Sequence, residues 1–248
     1  MESSLLPVIA STYSIPMTLK LDRESIVTCL NGESLDAVLA EVRQWPPRRA
    51  ISPLIASLFH GEARIRWHAV SALGTITAAL AEIDPEAARN VVRRLMWSLN
   101  DESGSIGWGA PEALGEIMAI HGGFSEEFCH MLVAYMRPDG CYLDLPVLQR
   151  GLMWGVGRLA GTRPDLLLGR DAPVYLQPHL DSEDREVRGL AVRALGMLKV
   201  SAAEERIEAL KEDPAKFLLY SQGVLKPVTV GSLAGRALEQ IRMPGRWG

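Results

Sequence analysis

The residues in this sequence best suited to recognition chemistry are Trp67, Trp108, Glu112, Arg150, Trp154 and Arg193, with Arg236 beside them. Indole faces and guanidinium forks are common anchors of binding surfaces, since each joins a large contact area to directed polar groups. Catalytic patterns are absent by comparison. His60, His68, His121, His130 and His179 are followed by Gly, Ala, Gly, Met and Leu, so no His-Glu pair occurs. Cys29, Cys129 and Cys141 are odd in number and far apart, which gives no CxxC, no zinc spacing and no disulfide framework. Gly104–Gly109 fits neither GxGxxG nor GxxxxGK(S/T), and it follows a predicted helix rather than a strand. No metal, cofactor or catalytic group is therefore expected.

The recognition residues share a surface only if helices hold them in register, and the sequence repeats in a way that does so. Val187, Ala191, Ala194 and Leu198 fall at the i, i+4, i+7, i+11 spacing that puts apolar side chains on one helical face. The same skeleton occurs at Ile65/Ala69/Ala72/Ile76, Ile106/Ala110/Ala113/Ile117, Leu148/Leu152/Gly155/Leu159 and Val230/Ala234/Ala237/Ile241. Four copies carry a glycine in one register, Gly74, Gly115, Gly157 and Gly196, and the fifth has Glu239 there. A helical signature recurring about every 40 residues marks an α-solenoid of paired helices.

With the repeat glycine as position zero, positions −9, −5, −2 and +2 point to the core, and −7, −4, −3 and 0 point roughly opposite. Trp67, Trp108 and Arg150 then occupy −7, while Glu112, Trp154, Arg193 and Arg236 occupy −3. Neighbouring repeats stack about 10 Å apart, so Trp67 and Trp108 are expected side by side as one apolar shelf. Glu112 lies one turn beyond, and Arg150, Trp154 and Arg193 extend the ridge. The tryptophans could instead fill space left by the glycines at 109, 115, 151, 155 and 157.

The skeleton resembles HEAT-like repeats, in particular those of phycobilisome lyase subunits, over roughly residues 34–242. This implies an all-α, right-handed solenoid of about five helix pairs whose second helices line a concave groove. The implied function is a non-enzymatic scaffold or adaptor that presents the Trp/Arg-lined groove to a protein or peptide segment. Two enzyme classes on similar scaffolds give the alternative. HEAT-like alkylpurine DNA glycosylases line a groove with tryptophans, an acidic residue and arginines, and bilin lyases hold a tetrapyrrole. HEAT-like deoxyhypusine hydroxylases bind iron through His-Glu pairs, which are missing here. A net charge of −4 counts against a phosphate-tracking groove, so nucleic acid is an unlikely partner. No run approaches the roughly 20 apolar residues that span a bilayer, and Met1–Leu21 makes a poor secretory signal. A cytoplasmic setting with reduced thiols is expected, with oligomeric state left open.

In chain order, residues 1–20 read as an irregular leader and 243–248 as a tail, on either side of one repeat domain. Asp22 and Ser34 cap two short helices, and helices follow at about 48–59 and 62–82. Asp84-Pro85 opens another, to about 99. In Asn100–Pro111 three glycines precede a proline, so the next helix should kink or start late and end at Gly122-Gly123. Ser125 should cap its successor. Helices are expected at about 145–160, 172–180, 183–199 and 229–242, with 165–169 as a connector. Gly223, in a polar turn between Phe217–Tyr220 and Val224–Thr229, predicts a small β-hairpin inserted near the C-terminus.

Overall fold

The computed structural model describes residues 21–100 and 106–243. The expected leader, the middle of the Asn100–Pro111 segment and the end of the tail lie outside the described residues. Three helices come first: α1 (Arg23–Leu30), α2 (Leu35–Val42) and α3 (Pro47–Ser57). Five others carry the repeat signature: α4 (Ala63–Ile83), α6 (Ala110–Ile120), α8 (Pro146–Ala160), α11 (Arg185–Met197) and α13 (Val230–Arg242). Between them lie α5 (Pro85–Trp97), α7 (Gly122–Ala134), the short α9 (Pro164–Leu168) and α10 (Ala172–Leu176), and α12 (Glu204–Ala209). Each signature helix packs on the next, α4 on α6, α6 on α8, α8 on α11 and α11 on α13. The chain is an α-solenoid.

The helix starts follow capping chemistry. Asp22 accepts from Ser25 N at 2.9 Å, and Asp84 accepts from Ala87 N at 3.0 Å. Asp184 accepts from Glu186 N and Val187 N at 2.9 and 3.2 Å, covering two donors that the first turn of α11 leaves unpaired. The small residues of the signature, Ala69, Ala72, Ala113, Ala191, Ala194, Ala234 and Ala237, are buried between helices, and Leu73, Ile76, Leu114, Ile117 and Leu195 fill the space around them. Each such Leu or Ile contributes about 1.5–3 kcal/mol of burial.

One expectation is met and five change. The helix after Asn100 does start late: α6 begins at Ala110 behind Gly109, whose φ is 76°, with Pro111 in its first turn where no N–H is needed. Ile106 thus stays outside the helix and is 47% exposed, so the second repeat lacks its first core position. Gly122-Gly123 open α7 instead of ending α6, and His121 Nδ1, not Ser125, accepts from Phe124 N at 3.2 Å. Ser125 is buried, and its hydroxyl donates to the Met118 carbonyl. Asp165, expected to open a connector, lies instead in α9, which ends at Leu168 with Gly169 as its C-cap. Finally, the repeat glycines face the next signature helix rather than a groove. A Cβ on Gly115 would fall 2.3 Å from Gly155 Cα, and one on Gly196 would fall 2.5 Å from Ala237 Cβ. At these two positions backbones meet, whereas Gly74 makes room for the side chains of Glu116 and Ile120 and Gly157 for that of Arg193.

The hairpin forms as expected. β1 (Lys216–Ser221) pairs antiparallel with β2 (Val224–Thr229), from Lys216↔Thr229 to Ser221↔Val224. Gln222 and Gly223 both have positive φ, 51° and 81°, as a tight two-residue turn demands. Thr229 then caps α13 reciprocally with Ser232, at 3.0 and 3.1 Å.

Candidate functional site

The hairpin lies on the very ridge that the repeat register assigns to a groove. Phe217 packs against Gly189 of α11. The Tyr220 ring stacks on Trp67 of α4, with centroids 4.6 Å apart and planes 10° from parallel. The Tyr220 hydroxyl is 3.2 Å from Ser71 Oγ, and its carbonyl accepts from Trp154 Nε1 of α8 at 2.9 Å. At the tip, Gly223 meets Leu35 of α2, where an added Cβ would fall 2.6 Å from the leucine Cβ. β1 therefore crosses the stack from its last repeats to its first, and a hollow remains on each side.

The first hollow, about 290 Å³, is lined by Trp67, Trp108, Glu112, Arg150, Arg66 and Glu186, with Leu58 and Val70 among its apolar lining residues. Trp108 is 44% exposed and also borders a neighbouring apolar hollow with Phe59 and Trp97. The Glu112 carboxylate rests on Gly151, where a Cβ would collide with it at 2.3 Å, and its Oε2 is buried without a hydrogen-bond partner. Burial, reinforced by the charge of Glu186, pushes this carboxyl up to about 7, against the pull of its own backbone amide and of Arg66. Glu186 is raised too, chiefly by burial. The arginines here are engaged. Arg150 grips Asp184 Oδ2 through Nη2 and Nε at 2.6 and 2.8 Å, and Arg66 donates to the His60 and Gly61 carbonyls at 2.7 and 2.8 Å.

The second hollow, about 330 Å³, opens between the hairpin and the α11–α13 pair and contains Arg193, Lys226 and Arg236. The Arg193 guanidinium leans on Gly157, and its Nη1 is buried without a partner. Burial first, then the like charges of Arg158 and Arg236, bring its pKa down to about 10.

Four of the six residues singled out from sequence, Trp67, Trp108, Glu112 and Arg150, thus meet in one hollow. The expected shelf takes a different form: the ring partners of Trp67 are Tyr220 and Trp154. Trp154 is only 5% exposed, because the hairpin covers it. Arg193 belongs to the other hollow. The register missed Tyr220, Glu186, Arg66 and Lys226, which lie on the hairpin or on helix positions outside the ridge series. A tyrosine in the strand preceding the Gln222-Gly223 turn was the available signal for the first. Among the described residues, no group of three or more His, Cys, Asp or Glu is placed to hold a metal ion. No described helix is long and apolar enough to cross a membrane.

No protein-family model matches the chain, and no curated protein matches it. Solved structures do. An engineered protein is similar at 18% identity and a TM-score of 0.51, over 89% of this chain and 96% of the other. A second engineered protein has a TM-score of 0.50 at 18% identity, covering 89% and 98%. A designed armadillo repeat protein in complex with the peptide (KR)4 is similar at 18% identity and a TM-score of 0.50, covering 89% and 100%. These likenesses concern the fold, that of a helical repeat protein.

Proposed function

We propose that this chain is a non-enzymatic interaction scaffold, and that the hollow between Trp67 and Trp108 takes a basic side chain from a segment of a partner protein. The observation that carries the reading is Glu112: a buried carboxylate with an unpartnered oxygen, flanked by two indoles and a second carboxylate. Indole faces attract cations, and a carboxylate at the base fixes them by charge. Phe59 and Trp97, beyond Trp108, supply apolar surface for flanking residues. The similar armadillo design is in complex with a peptide of the same charge. The repeat period and small-residue skeleton support assigning the stack to the HEAT-like repeats of the phycobilisome lyase type, and three free cysteines support a reducing, cytoplasmic setting.

The test is a titration of an alternating Lys-Arg peptide, followed by tryptophan emission. Saturable change is expected, lost in Trp108→Ala with helical circular dichroism intact. A change of equal size with an alternating Glu-Ser peptide would overturn the reading, as would no change at all.

A second reading shares this chemistry. An alkylated purine in DNA is a flat cation, and indoles beside a carboxylate suit it, as in the HEAT-like alkylpurine DNA glycosylases. Asp184 and Glu186 on the rim work against a DNA backbone, since Asp184 already takes Arg150. Release of free alkylpurine from methylated duplex DNA, lost in Glu112→Gln, would favour this reading over the scaffold.

A further inference from the structure

We propose that the second hollow, between the hairpin and the α11–α13 pair, binds the phosphoryl group of a small phosphomonoester, held by Arg193, Lys226 and Arg236. The reading is independent of the peptide hollow.

Several arginines of the repeat helices are matched with carboxylates: Arg150 with Asp184, Arg158 with Glu116 and Arg188 with Asp213. Arg193, Lys226 and Arg236 share one hollow, and among the described residues no carboxylate lies within ion-pair distance of any of them. The hollow has no acidic lining residue. Arg193 lines the hollow while one of its guanidinium nitrogens is enclosed against Gly157 with no acceptor, and two like charges act on the group. A buried cation without an acceptor is costly, and the usual compensation is an anion.

The rest of the lining selects among anions. Ser221, Gln222 and Gln240 offer neutral donors around the three cations. Two guanidinium forks and an ammonium match a dianion with three free oxygens better than a carboxylate, which has two oxygens and one charge. The volume, about 330 Å³, exceeds what a bare phosphate fills. Met197, Leu219 and Val228 give it an apolar side for an organic body. The site is also jointly built: Arg193 and Arg236 come from adjacent repeats at the same −3 register, and Lys226 comes from β2. The hairpin therefore completes it.

Calorimetric titration of the full chain with phenyl phosphate, inorganic phosphate and benzoate tests the assignment. One phenyl phosphate per chain is expected, bound about tenfold or more tightly than benzoate, with inorganic phosphate between them. Arg193→Gln should weaken phenyl phosphate by about tenfold or more without lowering thermal stability, because the charge it removes has no partner. Lys226→Gln and Arg236→Gln, both at exposed positions, should each weaken it as well, and they decide the matter if the Arg193 variant fails to fold. Trp108→Ala should leave phosphate binding unchanged, which separates this site from the peptide hollow. Equal affinity for benzoate and phenyl phosphate would overturn the proposal. So would heat of binding that survives Lys226→Gln combined with Arg236→Gln, or no saturable binding by any of the three probes.

Discussion

The two hollows beside the hairpin are built from the same repeat positions and have opposite character. On the N-terminal side, positions −7 and −3 hold Trp67, Trp108, Glu112 and Arg150, and the arginine is neutralised by the N-cap Asp184. On the C-terminal side, position −3 holds Arg193 and Arg236, and no acid answers them. One carboxyl is pushed up to about 7 and one guanidinium down to about 10, in both cases chiefly by burial. Register decides which residues share a ridge. What stands beside each position on the ridge differs: Gly151 of the next helix under Glu112, and the hairpin residues Ser221, Gln222 and Lys226 around the hollow that Arg193 lines.

Removing the divider should break the contrast most severely. Tyr220→Ala loses a buried ring stacked on Trp67 and a hydroxyl contact to Ser71, and should cost about 3–5 kcal/mol in urea unfolding. A loss under about 1 kcal/mol would mean that the hairpin does not hold the two sides apart. Next in size, Trp108→Ala should lower affinity for the Lys-Arg peptide by about 2 kcal/mol or more with a smaller change in melting than Tyr220→Ala, since the residue is 44% exposed. If melting falls and affinity does not, Trp108 is a packing residue.

Glu112 sharpens the acidic side. Its folded pKa lies near 7, above the ordinary 4.5, so the native state holds this proton more tightly than the unfolded chain does. Its contribution to stability is therefore greatest in acid and declines as pH rises from about 4.5 to about 7. Glu112→Gln keeps the neutral form at every pH. It should match the parent near pH 4 and exceed it by about 3 kcal/mol at pH 8; parallel stability curves would count against the buried carboxylate. The smallest effect belongs to the basic side. Thr229→Ala removes the N-cap of α13 and should cost about 1 kcal/mol, weakening phenyl phosphate slightly while leaving peptide affinity unaltered. Equal loss at both hollows would deny their independence.

Much of this arrangement was legible in the sequence because it is local. Ala191 and Ala194 announce a close helix contact, Asp84-Pro85 announces a helix start, and Gly223 between apolar runs announces a turn. The ridge bearing Trp67, Trp108, Glu112 and Arg150 follows from counting along a helix. What counting could not supply is where a separate element docks. The strand bearing Tyr220 lies nearly a whole repeat array away from Trp67, and no local pattern links them. The role of the repeat glycines was misplaced for a related reason: periodicity fixes a direction on a cylinder, but not which neighbour stands there. The late start of α6 shows a local rule outweighing the repeat, since Pro111 admits only a first-turn position.

The crossing strand has a kinetic consequence. Repeat arrays fold and unravel by nearest-neighbour steps, so their ends fray first and their contact order is low. Here Ser71 and Tyr220, 149 residues apart, are in contact, and the tip of the turn reaches α2. The two ends of the array are tied, and loss of either loosens the other. Unfolding should be a single cooperative event instead of a progressive peeling, and refolding should wait for the hairpin to reach α2 and α4.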